Sequence, residues 1–351
     1  MNKNFNIKSL IRENVKNLKP YSSARDEFTD FEKDMVFLDA NENPFDNGVN
    51  RYPDPHQQRL KAVLAEQKGV SVNQILLGNG SDEVLDLIFR AFCEPNVDNV
   101  LTLPPTYGMY KVLAATNAVE NHEVLLTDDF QPNVEKVLDS VDEQTKIIFL
   151  CSPNNPTGNH FSVGKIKYLL LNFHGLVVID EAYIDFSEKE SWLSKLKDFP
   201  NLVVTQTLSK AYGMAGIRLG ICYASEAIIS ILKKIKPPYN VNELTQQKAL
   251  ERISNTGLVA KEVENIRAER EKLVAAMAEI PYVKTIFSTE ANFVLVRVDD
   301  ADLRYEQLIK KGIVVRNRSN QPLCENTLRF TVGTIEENEK LMTTLKEISN
   351  G

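Results

Sequence analysis

Six short runs of branched and apolar residues punctuate the first two thirds of the chain: NVLTL (99–103), EVLL (123–126), KIIFLC (146–151), LVVID (176–180), LVVTQ (202–206) and GICYA (220–224). From about Pro53 to Ser225 they alternate with helical patterns. The clearest is SDEVLDLIFRAF, where Val84, Leu85, Leu87, Ile88, Ala91 and Phe92 share one face and Ser81 stands at the expected N-cap. Strands that are apolar almost throughout leave no face for solvent. They predict a mainly parallel sheet covered by helices on both sides, an α/β architecture.

The rest of the chain has a different rhythm. Residues from about Asn242 to Glu279 are helical in pattern and highly charged, and IKPPYN (235–240) breaks the chain just before them. KTIFSTEANFVLVRV (284–298), a helix pattern, GIVVRNR (312–318), TLRFTVG (327–333) and a final amphipathic helix follow. A few strands among helices predict a smaller α+β lobe. The first residues, with Pro20 and Pro44, show little periodicity. The expected division is an N-terminal segment, 1–45, that joins the small domain, a large domain over 46–245, and a C-terminal small domain over 246–351.

Composition narrows the function. The 351 residues, 43% hydrophobic and 25% charged, are enough for two such lobes. A net charge of −7 argues against a nucleic-acid or anionic-membrane surface. No apolar run is long enough to span a bilayer, and MNKNFNIKSL lacks the apolar core of a signal peptide, so the expected compartment is the cytoplasm. Cys93, Cys151, Cys222 and Cys324 form no CxxC pair, and His56, His122, His160 and His174 have no metal-ligand spacing. Buried free thiols and no metal are expected.

The chemistry collects at strand ends. In TLSKAYGMAGIRLG (207–220), Lys210 lies among small residues that permit close approach, with Thr207, Ser209 and Arg218 as donors suited to phosphate. Two readings stand: a Schiff-base lysine beside a phosphate cup, or a surface lysine at a tightly packed junction. VVIDEAYIDF (177–186) ends a buried strand on Asp180, Glu181 and Tyr183, where α/β sheets bind ligands. A magnesium-binding NTPase would also need GxxxxGK[ST], which the chain lacks; a capping carboxylate stays open. CSPNNPTGN (151–159) is a turn whose Asn155 could bond a ligand or serve the turn alone. LLGNGSDEVLD (76–86) sets glycines and Ser81 before a helix N-terminus, a phosphate-binding arrangement without the Rossmann spacing. PPTYGMY (104–110) supplies Tyr107, either a ligand contact or a packed aromatic.

Taken together and in this order, GNGSDE, PPTYGMY, SPNNPTG, VVIDEAY and TLSKAYGMAGIRLG resemble the fold-type I pyridoxal-phosphate (PLP) aminotransferases. NVKNLKPYSSARDE (14–27), LDANENPF (38–45), RYPDP (51–55), GIVVRNR and TLRFTVGT narrow the resemblance to the histidinol-phosphate aminotransferase family, over nearly the whole chain. The resemblance implies pyridoxal 5'-phosphate as cofactor, with Lys210 as the Schiff-base lysine and proton carrier. It implies Asp180 on the pyridinium nitrogen, Asn155 and Tyr183 on the ring's phenolic oxygen, and Tyr107 stacked on the ring. Gly80, Ser81, Asp82 (through its backbone N–H), Thr207, Ser209 and Arg218 would surround the cofactor phosphate. Tyr52 would reach the phosphate of a neighbouring subunit, implying a homodimer. Histidinol phosphate and glutamate or 2-oxoglutarate are the implied substrates, held by Arg316 and Arg329 with Tyr21 and Asn43 nearby. Arg318 lies in the same loop with its direction open. Sister activities on the same scaffold are aromatic amino-acid aminotransferase and threonine-phosphate decarboxylase; a non-catalytic regulator is disfavoured because Lys210, Asp180, Asn155 and Arg218 are all present.

Overall fold

A computed structural model describes residues 5–21 and 36–350; residues 22–27 of the N-terminal motif lie outside them. The chain opens with two short helices, α1 (Ile7–Leu10) and α2 (Glu13–Lys16), and then α3 (Gln58–Lys68). Seven strands follow: β1 (Ile75–Asn79), β2 (Asn99–Thr102), β3 (Glu120–Glu123), β4 (Thr145–Cys151), β5 (Leu176–Asp180), β6 (Leu202–Thr207) and β7 (Leu219–Ala224). Between and after them run α4 (Gly80–Phe92), α5 (Met109–Thr116), α6 (Val134–Asp139), α7 (Val163–Asn172), α8 (Glu226–Ile235), α9 (Glu243–Ile253) and α10 (Thr256–Met277). The last part holds β8 (Val283–Ile286), β9 (Phe293–Val298), α11 (Ala301–Lys310), β10 (Arg316–Asn317), β11 (Thr327–Thr331) and α12 (Ile335–Asn350).

The large sheet has the order β1-β7-β6-β5-β4-β2-β3. It is parallel except for β7, which runs antiparallel to both β1 and β6. Alternation along each strand builds two cores, one per face. Leu77, Ile148, Ile179, Val204 and Ile221 point to the side covered by α3, α6, α7 and α9. Leu76, Phe149, Val178, Val203 and Cys222 point to the side covered by α4, α5 and α8. All four cysteines are buried free thiols.

The structure corrects several expectations. β1 falls on residues not counted among the expected strands, an edge strand over Ile75–Asn79 whose Gly78 lies against Val84 of α4. β3 is Glu120–Glu123, not EVLL; the apolar residues Val124 and Leu126 are core contacts of the segment leaving the strand. Ser81 is not an N-cap: α4 begins at Gly80, one residue earlier. The GIVVRNR strand shortens to Arg316–Asn317. Leu10 and Val15 of the N-terminal segment pack into the α4–α8 core of the large lobe, and Lys234 Nζ donates to the Lys16 carbonyl at 3.0 Å. The two opening helices thus lean on the large lobe.

A second, four-stranded antiparallel sheet, β10-β11-β9-β8, packs on α10, α11 and α12. Between the two sheets lies a small cluster in which Tyr183, Phe186 and Ala211 meet Val259, Val263, Ala291 and Phe293. A polar seam runs beside it. Glu290 N–H donates to the Gly158 carbonyl at 2.8 Å, and the Ser187 hydroxyl donates to the Glu290 carboxylate. His160 Nε2 lies 2.8 Å from Ser187 Oγ and its Nδ1 lies 3.1 Å from Ser152 Oγ.

Candidate active site

Strand polarity places the site. β4, β5 and β6 end side by side on Cys151, Asp180 and Thr207, and β1 ends at the same edge before passing into α4. Because β7 runs the other way, it begins at that edge, so Arg218 stands there as well. A cleft partly open to solvent covers these ends. It brings together Ser81, Asp82, Tyr107 and Asn155 with Asp180, Tyr183, Thr207, Ser209, Lys210 and Arg218, residues scattered over the large lobe's sequence.

The floor beside α4 is built for an anion. Gly80 has φ +74°, and a Cβ there would lie 2.6 Å from Arg218 Nη2. The left-handed backbone favours glycine, and a Cβ would push the flexible Arg218 head aside. The Gly80 N–H donates to the Arg218 carbonyl at 2.9 Å, and α4 has no side-chain cap at its start. Its first-turn N–H groups therefore face the cleft with their positive dipole end. Thr207 Oγ1 lies 3.0 Å from Ser209 Oγ. The Asp82 carboxylate accepts from the Tyr107 hydroxyl at 3.0 Å and lies 3.5 Å from Arg218 Nη2, so it aims the guanidinium rather than facing the anion position itself.

The two carboxylates ending β5 divide by alternation. Asp180 points into the cleft and is 2% exposed. It accepts from the Tyr110 hydroxyl at 2.8 Å and from the Ala182 N–H at 3.2 Å. Burial pushes its pKa up, and those hydrogen bonds oppose the rise. Glu181 turns into the protein, where it accepts from Trp192 N–H at 2.7 Å and Gln206 Nε2 at 2.9 Å; burial raises it to about 7.

Lys210 extends over the cleft with its Nζ 5.7 Å from the centre of the Tyr183 ring. Partial desolvation lowers its pKa first, then the Arg329 guanidinium; Asp180 opposes and Arg218 adds to the lowering. Arg329 comes from the small lobe. It lies opposite Arg316 in the β10–β11 ladder, its guanidinium sits 5.0 Å from the Phe293 ring, and it donates to Asn155 Oδ1 across the lobes. Burial lowers it to about 10, which leaves it cationic at neutral pH.

Some expected residues are elsewhere. Tyr52 is 51% exposed and stacks on Tyr239 at 4.5 Å, away from this chain's own cleft. Tyr21 is 76% exposed, and the Asn43 side chain accepts from the Phe45 N–H in a local turn. Neither lines the cleft. Tyr107 meets Tyr110 edge-on at 5.6 Å. Sequence reading missed Tyr110, Cys151 and Ala182, which the cleft uses directly or through Asp180. Tyr110 was detectable, since it follows Tyr107 by three residues at the start of a helix.

The aminotransferase class I and II family model matches residues 33–345. A histidinol-phosphate aminotransferase of Flavobacterium johnsoniae is 67% identical over 343 residues, covering 97% of this chain and 98% of that one. The crystal structure of the histidinol-phosphate aminotransferase from Clostridium acetobutylicum superposes with a TM-score of 0.80 at 25% identity, over 86% of this chain and 91% of that chain. The fold is also that of the Sinorhizobium meliloti histidinol-phosphate aminotransferase solved in complex with pyridoxal-5'-phosphate, with a TM-score of 0.76 at 23% identity, over 86% of this chain and 83% of that chain.

Proposed function

The chain belongs to the aminotransferase class I and II family, and from that premise we infer that it moves an amino group between histidinol phosphate and 2-oxoglutarate, giving imidazole acetol phosphate and glutamate, in histidine biosynthesis. One observation carries the reading. Lys210 and Arg218 line the cleft at the helix-floored anion cup, and Arg329 reaches in from the small sheet to donate to Asn155 in the cleft wall. One cleft is therefore equipped for two anions with a lysine amine within reach of both.

Pyridoxal 5'-phosphate fits the first of these. Asp180 is a buried carboxylate that forms no ion pair among the described residues, and a protonated pyridine nitrogen would supply one. The Gly80 turn, Ser81, Thr207, Ser209 and Arg218 would hold the phosphate, and Asn155 and Tyr183 the phenolic oxygen. When bound, the cofactor supplies an electron-poor ring that accepts the electron pair as the substrate Cα–H bond breaks. Lys210 Nζ takes that proton and returns it; its lowered pKa favours the neutral amine the task needs. Tyr110 holds Asp180, and Asp82 holds Arg218. Arg316 and Arg329 bind the phosphate of histidinol phosphate in one half-reaction and a carboxylate of glutamate in the other.

The same reading extends to the assembly. We assign 46–245 to cofactor binding and 246–351 to the small domain. Tyr52, exposed beside Tyr239, serves the cleft of a second copy, making the enzyme a homodimer. No helix among the described residues is long and apolar enough to cross a membrane, and the cytoplasm is the proposed site of action. The test is glutamate formation from 2-oxoglutarate by the PLP-loaded enzyme, with histidinol phosphate, phenylalanine or threonine phosphate as partner. Histidinol phosphate is expected to react far faster than the others. Equal rates with phenylalanine would make it an aromatic aminotransferase, and carbon dioxide release from threonine phosphate a decarboxylase.

A further inference from the structure

Strand periodicity puts a third arginine on the cleft side of the small sheet. Arg316 and Arg329 are register partners, whereas Asn317 pairs with Leu328, which is fully buried in the small-lobe core. Residues two apart on a strand share a face. Arg318 follows Arg316 by two, and the ladder continues through it: its N–H donates to the Thr327 carbonyl at 2.9 Å. The backbone is fixed again where Gln321 N–H donates to the Arg318 carbonyl at 2.9 Å. The Arg318 side chain is directed inward, with its Nε buried and without a hydrogen-bond partner among the described residues. Arg329 Nε is in the same condition. The charged and polar groups near Arg318 are Arg316, Tyr183 and Cys324, and those near Arg329 are Arg318, Tyr183, Arg316, Lys210 and Asn155. No carboxylate is among them. Such a concentration of partly desolvated positive charge calls for an anion of more than one charge.

We propose that Arg318 is a third guanidinium of the small-lobe anion cup and selects the phosphate dianion of histidinol phosphate over the carboxylate of glutamate. This rests on the function inferred above and names the group that separates its two substrates. A carboxylate has two oxygens, which two arginine forks already occupy. A phosphate monoester presents three oxygens and nearly two charges above its second pKa near 6. The third guanidinium thus finds an acceptor with only one of the two substrates.

The experiment measures kcat/KM of the PLP-loaded wild type, Arg318→Gln and Arg318→Lys, with histidinol phosphate and with glutamate, from pH 5.5 to 8. Wild type is expected to gain on histidinol phosphate across pH 6, relative to glutamate, as the phosphate takes its second charge. Arg318→Gln should lower the ratio of the two constants by about tenfold or more, the effect of losing a charge-assisted hydrogen bond, and flatten that rise. Arg318→Lys, keeping the charge without the fork, should recover part of the ratio. Equal losses on both substrates, or a ratio within about twofold of wild type in both variants, would overturn the assignment of Arg318. A wild type that uses glutamate but not histidinol phosphate would instead overturn the substrate reading beneath it.

Discussion

At the scale of single residues, side chains that perform chemistry are separated from those that hold them. Lys210 is exposed with its Nζ over the Tyr183 ring, so its removal costs little packing. Lys210→Ala is expected to lose turnover altogether while melting within a few degrees of wild type; retained steady-state activity would refute its role. Asp180 gives a test with a sign. Its folded pKa is raised above the ordinary carboxylate value of 3.8, so its contribution to stability is present below that value and lost as pH rises through the raised one. Cofactor-free Asp180→Asn should therefore be at least as stable as cofactor-free wild type at pH 7. The Asn carbonyl can still accept from Ala182, and the Tyr110 hydroxyl can turn to accept from the amide. The same variant should bind PLP about ten- to a hundredfold more weakly, the worth of a hydrogen bond to a charged group. Thermal melts with and without PLP check both halves. Residues of this kind were legible in the sequence because Lys210, Asp180, Asn155 and Arg218 stand in motifs at strand ends. Tyr110 was not singled out although its spacing from Tyr107 was visible, and Arg318 was named with its direction open, since a loop arginine looks the same wherever it points; burial and orientation decide both.

At the scale of elements, hydrophobic runs revealed the interior strands and obscured the margins. KIIFLC, LVVID and LVVTQ are buried on both faces and coincide closely with β4, β5 and β6. β1 went unseen because its glycine and asparagine resemble a turn, and β3 because ENHE is polar at the far edge of the sheet. Those marginal elements matter to the site. Gly220 of β7 packs so closely on the β1–α4 turn that a Cβ would lie 2.2 Å from Gly80 C and Ser81 N. These are backbone atoms, so relief means moving the turn that carries the anion cup. Gly220→Ala is expected to cost about 3 kcal/mol or more and to weaken PLP retention together with stability. Urea titration checks the first, through a lower midpoint at constant slope, and cofactor absorbance the second.

At the scale of the whole molecule, the lobes are joined by an apolar cluster and a chain of hydroxyl, imidazole and carboxylate groups. Ser187 donates to Glu290, so His160 Nε2–H donates to Ser187 and its Nδ1 accepts from Ser152. This polarity requires a neutral imidazole, and burial lowers the His160 pKa to about 4, with Lys189 adding to the lowering and Glu290 opposing it. The unfolded chain takes up that proton as pH falls through 6.5, whereas the folded one resists until about 4. Stability is therefore lost on acidification across this window. Between pH 7 and 5 the loss is expected to be about 1–2 kcal/mol and to shrink in His160→Gln, as calorimetric melts at the two pH values will show. The seam was not legible in advance. His160 and Glu290 lie far apart in sequence, and only the fold brings them within 3.7 Å.

The reversed strand β7 has a consequence for how the molecule comes into being. β6 and β7 are neighbours in sequence, but β1, on the other side of β7, comes from the start of the large lobe. Its pairing closes a much longer loop of chain than the successive β4–β5–β6 pairings do, and long-range contacts form late. The turn that cradles the phosphate is thus finished only when the two ends of the large lobe meet. During refolding, recovery of cofactor binding should lag behind recovery of helical signal, and added PLP should leave the earlier phase unchanged. The cofactor then acts as an inspector of the completed sheet, fastening to chains that have finished folding and passing over those that have not.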